Sequence, residues 1–147
     1  MKRDEIITSI VMSAHALGRI AAQDAANDAP AAQWRVLTLL ERAPGRRVGE
    51  LARASRTTQP GMTRLLGELE RSGLVSRSPD ASDSRATVVD ITAAGRTALA
   101  EWRESFRATL APRFADLDTE DWDALHRAAD ILAAHSIENT TETGVTE

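Results

Sequence analysis

The sequence contains no cysteine. Disulfides, thiolate nucleophiles, Cys-ligated zinc and thiol-based redox sensing are therefore excluded. Aromatic residues make up only 3% of the chain and tyrosine is absent. A core must then be assembled from Leu, Ile, Val and Ala, and the strong helix formers Leu and Ala favour helices. No apolar run approaches the roughly 18 residues of a membrane span. The opening MKRDEIITSIVM lacks the uninterrupted apolar segment and cleavage pattern of a secretory signal, so a cytoplasmic location without membrane attachment is expected. Lysine is nearly absent as well: 17 of the 18 basic residues are Arg.

What is present is enough for one ordinary domain: 147 residues, 42% of them hydrophobic. The net charge of −4 argues at first against a nucleic-acid partner, but its distribution reverses the argument. Between Arg46 and Arg85 eight arginines face five acids, a net +3, which leaves −7 on the remainder. A basic middle in an acidic chain is an electrostatic footprint.

In chain order, residues 4–26 carry Ile6, Ile7, Ile10, Ala14, Leu17 and Ala21 at spacings of three and four, predicting an amphipathic helix that docks on a second copy of the chain. Asn27, Asp28 and Pro30 break it. A second helix is predicted over 31–43, with Trp34, Leu37 and Leu40 on one face, and a short third over 48–54. Thr57 or Thr58 caps a fourth, in which Pro60 is confined to the first turn and Met62, Leu65, Leu66 and Leu69 form the buried stripe up to Gly73. A small β-hairpin follows, with strands at 74–78 and 86–91 and a projecting polar loop at 79–85. Thr92 caps a fifth helix bearing Leu99, Trp102, Phe106 and Leu110, stopped by Pro112. Asp118 and Thr119 open a sixth with Trp122, Leu125, Ala129 and Leu132 inward, and residues 138–147 form a polar tail expected to be disordered. The fold class is mainly α with a small β-hairpin, a winged helix-turn-helix flanked by N- and C-terminal helices.

Two helices joined by a short turn suit the major groove, with the second helix presenting its N-terminus to base edges. That N-terminus carries Thr57, Thr58, Gln59, Pro60, Gly61, Thr63 and Arg64, and no acid occurs between Leu51 and Gly67. Hydroxyls and helix-end N–H groups hold phosphates, Gln59 is suited to adenine, and Arg64 to guanine or phosphate. Arg85 on the hairpin loop suits the electronegative minor groove, and Arg77 lies on the outgoing strand. An exposed Asp83 would repel phosphate, so it is assigned to bracing an arginine by a charge-assisted bond.

DSRATVVDIT, from Asp83 to Thr92, resembles the wing of the MarR family of bacterial winged-helix regulators, Asp-x-Arg, a short strand, then Leu-Thr, with Ile91 in place of the usual Leu. TTQPGMTRLLGELERSGLV, from Thr57 to Val75, resembles the recognition helix and first wing strand of that family. The resemblance in helix order spans about residues 3–137. It implies an obligate homodimer held by the first, fifth and sixth helices, bound to a pseudo-palindromic operator in double-stranded DNA. It places Gln59, Pro60, Gly61, Thr63 and Arg64 in the major groove and Arg85 in the minor. It also implies repression relieved by a small aromatic or anionic effector. The domain division that follows is one domain over 1–137, with a DNA-binding lobe at 31–92 and dimerisation helices at 4–26 and 93–137.

His15, Arg19 and Trp34 are the candidates for effector contact, with a partly exposed pair and a core anchor as the plainer readings of these residues. No Ser-His-Asp arrangement or metal-ligand cluster is apparent, and His15, His126 and His135 are isolated in sequence, so no catalytic residue, metal or cofactor is assigned. Two other readings stay open: a winged-helix scaffold for an acidic protein partner, without DNA binding, and a regulator that activates or needs no ligand.

Overall fold

The computed structural model describes residues 1–24 and 31–136. It contains α1 (Arg3–Asp24), α2 (Ala31–Arg42), β1 (Arg46–Arg47), α3 (Val48–Ala54), α4 (Gln59–Arg71), β2 (Val75–Pro79), β3 (Thr87–Ile91), α5 (Ala93–Leu110), a 3-10 turn (Ala111–Phe114) and α6 (Thr119–His135). The expected helix break at Asn27, Asp28 and Pro30 and the polar tail at 138–147 lie outside the described residues.

The fold is that of a winged helix-turn-helix, mainly helical with a small sheet, and it divides into two compact units, Met1–Ala111 and a second from Pro112 onward. In the first unit, Leu37, Leu40, Leu51, Met62, Leu66, Leu69, Leu99 and Val89 are fully buried in one cluster. The stripe of α4 thus packs against α2, α3 and the sheet. Each such side chain contributes about 1.5–3 kcal/mol on leaving water. Among the described residues no polar or charged residue is buried, so this core specifies itself by shape alone.

The hairpin is a three-stranded antiparallel sheet in the order β1-β3-β2. The β2–β3 register sets Val75 opposite Ile91 and Arg77 opposite Val89, which places Val75, Val89 and Ile91 inward. The additional strand is β1, where Arg46 and Arg47 pair with Val89 and Val88. Two residues carry no alternation, and their partner lies some forty positions on, so no local pattern announces this strand.

α4 ends in two backbone bonds, Gly73 N–H to Glu70 C=O and Leu74 N–H to Leu69 C=O, with Gly73 at φ 74°. That pattern needs a left-handed residue after the helix, which glycine adopts without a Cβ clash. It turns the chain directly into β2.

On α1, Ile6 and Ile7 of the expected stripe are exposed in the single chain, and so are Val11 and Met12, which lie outside that stripe. In the second unit, Asp118 caps α6 by accepting the Asp121 N–H at 2.9 Å, and Phe114 packs on Trp122 at 6.4 Å between ring centroids. Trp122, Leu125 and Ile131 are nonetheless exposed on α6. Apolar side chains left in water on both helices are surface awaiting a partner.

Candidate nucleic-acid interface

Thr58, not Thr57, is the N-cap of α4. Its Oγ1 accepts the Gly61 N–H at 3.2 Å, and Pro60 sits within the first turn, where no N–H is needed. A Cβ on Gly61 would come within 3.1 Å of Thr58 Oγ1 and 3.3 Å of Thr57 Oγ1, so this glycine makes room for the capping hydroxyls. Thr57, Thr58, Gln59, Pro60, Gly61, Thr63 and Arg64 are all exposed, opposite the buried Met62, Leu66 and Leu69. Their hydroxyls differ in what they offer. Thr58 accepts from the backbone and keeps its proton for an external acceptor. Thr63 donates to the Gln59 carbonyl at 2.9 Å and has spent its proton within the helix. Phosphate oxygens take donors. Thr58 is thus the better donor to an acceptor outside the fold.

Gln59 borders a notch of about 440 Å³ shared with Arg47, Glu50, Arg53 and Thr87. α3, the start of α4 and the root of the wing meet there. Arg47 and Arg53 were not singled out in the sequence as neighbours of Gln59. Their place in the Arg-rich run was the only signal, and it did not distinguish them from the other arginines.

The wing is held by carboxylates at its base. Asp80 Oδ2 accepts Arg47 Nε at 2.9 Å and Nη2 at 2.6 Å, while Oδ1 accepts the Ser82 N–H at 3.0 Å and the Ser82 hydroxyl at 2.9 Å. The Ser82 backbone bond and the Arg47 guanidinium lower the Asp80 pKa to about 2. Since this folded-state value lies below the ordinary 3.8, the contribution is complete above pH 3.8 and is lost as pH falls through about 2. A ¹³C titration of the Asp80 carboxyl is expected to show a midpoint near 2. A midpoint at an ordinary aspartate value would show that the Arg47–Asp80 tie is not kept in solution.

Asp83 braces the loop differently from the expectation. Its Oδ1 accepts the backbone N–H of Arg85 at 3.0 Å, and it forms no ion pair with an arginine among the described residues. The correction has a simple cause. A side-chain carboxylate two residues before an N–H closes a local turn more readily than it reaches a mobile guanidinium. The Arg85 guanidinium is exposed and without an ion-pair partner among the described residues, as is that of Arg64. Arg77 is committed: its Nε lies 3.0 Å from Glu70 Oε2, tying β2 to the last turn of α4. Its charge is already partly answered within the fold, unlike that of Arg85.

A second concavity, of about 450 Å³, opens between α1, α2 and α5. Trp34 and Trp102 stack at 5.2 Å, Phe106 lies 5.0 Å from Trp102, and Gly18, Ala22, Arg35 and Arg42 complete much of the wall. Of the three sequence candidates, Trp34 lines this cleft, while His15 and Arg19 are exposed and do not line it. Arg19 lies one residue, about 100° around the helix, from the lining Gly18. No local pattern in the sequence marks Trp102, Phe106, Arg35 and Arg42 as its lining. No group of three or more metal-ligating side chains and no helix long and apolar enough to cross a membrane occurs among the described residues.

A family model described as MarR family matches residues 28–86. An uncharacterised HTH-type transcriptional regulator of Mycobacterium bovis is 32% identical over 102 residues, covering 69% of this chain and 71% of that protein. The transcriptional activatory protein BadR of Rhodopseudomonas palustris is 42% identical over 67 residues, 44% of this chain and 38% of that protein. Among solved structures, the transcriptional repressor CouR bound to a 23-mer DNA duplex superposes with a TM-score of 0.62 at 25% identity, covering 90% of this chain and 98% of that one.

Proposed function

We propose that this chain, which belongs to the MarR family of transcriptional regulators, acts as a homodimeric, sequence-specific DNA-binding repressor released by a small-molecule effector. The observation that carries the reading is the exposed, acid-free leading surface of α4, followed by a wing whose Arg85 is unpaired among the described residues. Residues 31–92 form the DNA-binding lobe. Thr58, Gln59 and Arg64 enter the major groove, with Thr57, Pro60, Gly61 and Thr63 shaping the approach, and Arg85 enters the minor groove. Arg77 supports the wing through Glu70 and adds positive field beside it. The likeness to CouR, described as a repressor on duplex DNA, supports this reading.

Dimerisation through residues 4–26 and 93–137 covers the exposed Ile6, Ile7, Val11 and Met12 of α1 and the exposed Trp122, Leu125 and Ile131 of α6. A two-fold dimer calls for a pseudo-palindrome with half-sites about one helical turn, roughly 10 bp, apart. The cleft beside Trp34 suits a small aromatic anion, with rings to stack on and Arg42 for its charge. Such a ligand releases DNA if it favours a dimer whose recognition helices are misspaced. Work of this kind takes place in the cytoplasm, where the operator is.

The test is a gel shift with duplexes selected by the full chain from a random pool, repeated across salt. Six or more phosphate contacts give a log–log slope of about −5 or steeper. No shift with any duplex sinks the reading in favour of a protein-binding scaffold, and a slope near zero removes the phosphate contacts. The likeness to BadR, named as an activator, favours a second reading as activator. A footprint overlapping the promoter supports repression, and one upstream of it supports activation.

A further inference from the structure

Arg56 closes the turn between α3 and α4 at φ 50°, and it is the one non-glycine residue with positive φ among the described residues. The left-handed region drives Cβ against the following carbonyl oxygen, so glycine or asparagine makes such a turn at lower cost. The fold uses this backbone, as it does at Gly73: the left-handed residue lets the Arg56 N–H reach the Arg53 C=O at 3.1 Å and the Thr57 N–H reach the Ala52 C=O at 3.0 Å, which caps α3. Arg56 is exposed, and its guanidinium pairs with no carboxylate among the described residues. An arginine kept where glycine costs less, with a side chain that the fold does not use, points to a function outside it.

The turn borders a cleft of about 320 Å³. Arg35, Ser55, Arg56 and Thr57 line it together with Val36 and Met62, and no acid contributes to its walls. Ser55 Oγ is buried there without a hydrogen-bond partner. The notch beside Gln59, on the other side of the α4 start, contains Glu50 and lacks this purely cationic character. Two arginines and the exposed Thr57 around one acid-free concavity are a donor set that a phosphodiester takes.

We propose that the strained turn holds Arg56 against a DNA backbone phosphate seated at this cleft, flanking the bases that α4 reads, with Arg35 lining the same cleft. The assignment rests on the DNA-binding reading and deepens it, because Arg56 then fixes the register of the helix without reading sequence.

Arg56→Gly separates the guanidinium from the backbone, since glycine adopts the left-handed turn freely. It is expected to unfold at or above the wild-type temperature, with Arg56→Ala about 2–4 °C below it. Both should weaken binding about tenfold at 0.1 M salt, equally for preferred and non-preferred sequences. The log–log salt slope should become shallower by about one per protomer. Single methylphosphonate replacements along the selected duplex then locate the contact. One phosphate per half-site should cost affinity in the wild type and nothing further in Arg56→Gly. Wild-type affinity and slope in Arg56→Gly, or equal costs at every phosphate in both proteins, overturn the assignment alone. A wild-type chain that binds no duplex overturns the DNA-binding reading and this assignment with it.

Discussion

Gly95→Ala is expected to lower the stability of the protein by about 3 kcal/mol, the upper end of the usual overpacking range. A Cβ built on Gly95 lies 2.1 Å from the Leu74 carbonyl oxygen and 2.7 Å from Ile91 Cγ1, and the first of these neighbours is backbone. The site cannot relax cheaply, because three hydrogen bonds sew the same junction. Thr92 N–H donates to Leu74 C=O at 3.1 Å, the Thr92 hydroxyl donates to Gly73 C=O at 2.6 Å, and Gly95 N–H donates to Thr92 Oγ1 at 3.0 Å. Moving α5 outward to admit a methyl group stretches all three. Alanine's better helix propensity opposes this by up to about 1 kcal/mol and does not prevail. Thermal unfolding followed by circular dichroism should show a midpoint lower by about 6–12 °C. Gly18→Ala is the internal comparison. Its Cβ meets nothing within 4 Å, so the same exchange should stabilise α1 by about 0.5–1 kcal/mol. If Gly95→Ala unfolds at the wild-type temperature, the close approach of α5 to the start of β2 is wrong.

That junction also illustrates what local sequence conveys and what it does not. Thr92 as a cap and Gly73 as a helix terminator are both legible, because a cap and a left-handed turn are local events with residue-type signatures. That the two meet through one hydroxyl, nineteen positions apart, is not. α4 was the most readable element: Met62, Leu65, Leu66 and Leu69 repeat at helical spacing between a Thr-Thr-Gln-Pro start and a glycine stop, and the helix runs from Gln59 to Arg71. β1 was unreadable because Arg46 and Arg47 owe their conformation to Val89 and Val88. The tie of Arg47 to Asp80 was hidden for the same reason. One arginine in an Arg-rich run gives no indication of which carboxylate it will find thirty-three residues later. At the aromatic cleft, Trp34 is identifiable as an anchor in the first turn of a helix, but its stacking partner Trp102 lies on α5. His15 and Arg19 share a helix face with each other, but the cleft takes the adjoining Gly18 and Ala22.

Replacing Arg85 with Ala should weaken DNA binding by about 1–3 kcal/mol for each wing that reads the groove, and a dimer has two wings. The argument starts from what Arg85 does not do. It is exposed, pairs with no carboxylate among the described residues, and packs into no core, so its removal leaves the fold unchanged. Its backbone, by contrast, is fixed: the Asp83 carboxylate holds its N–H, and the Asp83 carbonyl accepts the Ala86 N–H at 3.0 Å. Less ordering entropy is then lost when the guanidinium enters a groove. Asp83→Ala should accordingly weaken binding less than Arg85→Ala, because it loosens the loop but keeps the charge. Fluorescence anisotropy on a selected duplex measures both, with an unchanged unfolding temperature confirming an intact fold. A narrow, A·T-rich minor groove concentrates negative potential, whereas G·C pairs place an amino group there and widen it. The loss on Arg85→Ala should therefore shrink when the base pairs under the wing are changed to G·C. Binding within twofold of wild type would remove Arg85 from the interface. An equal loss on A·T and G·C flanks would move Arg85 from the groove to the phosphates, because a phosphate contact does not depend on the width of the groove beside it.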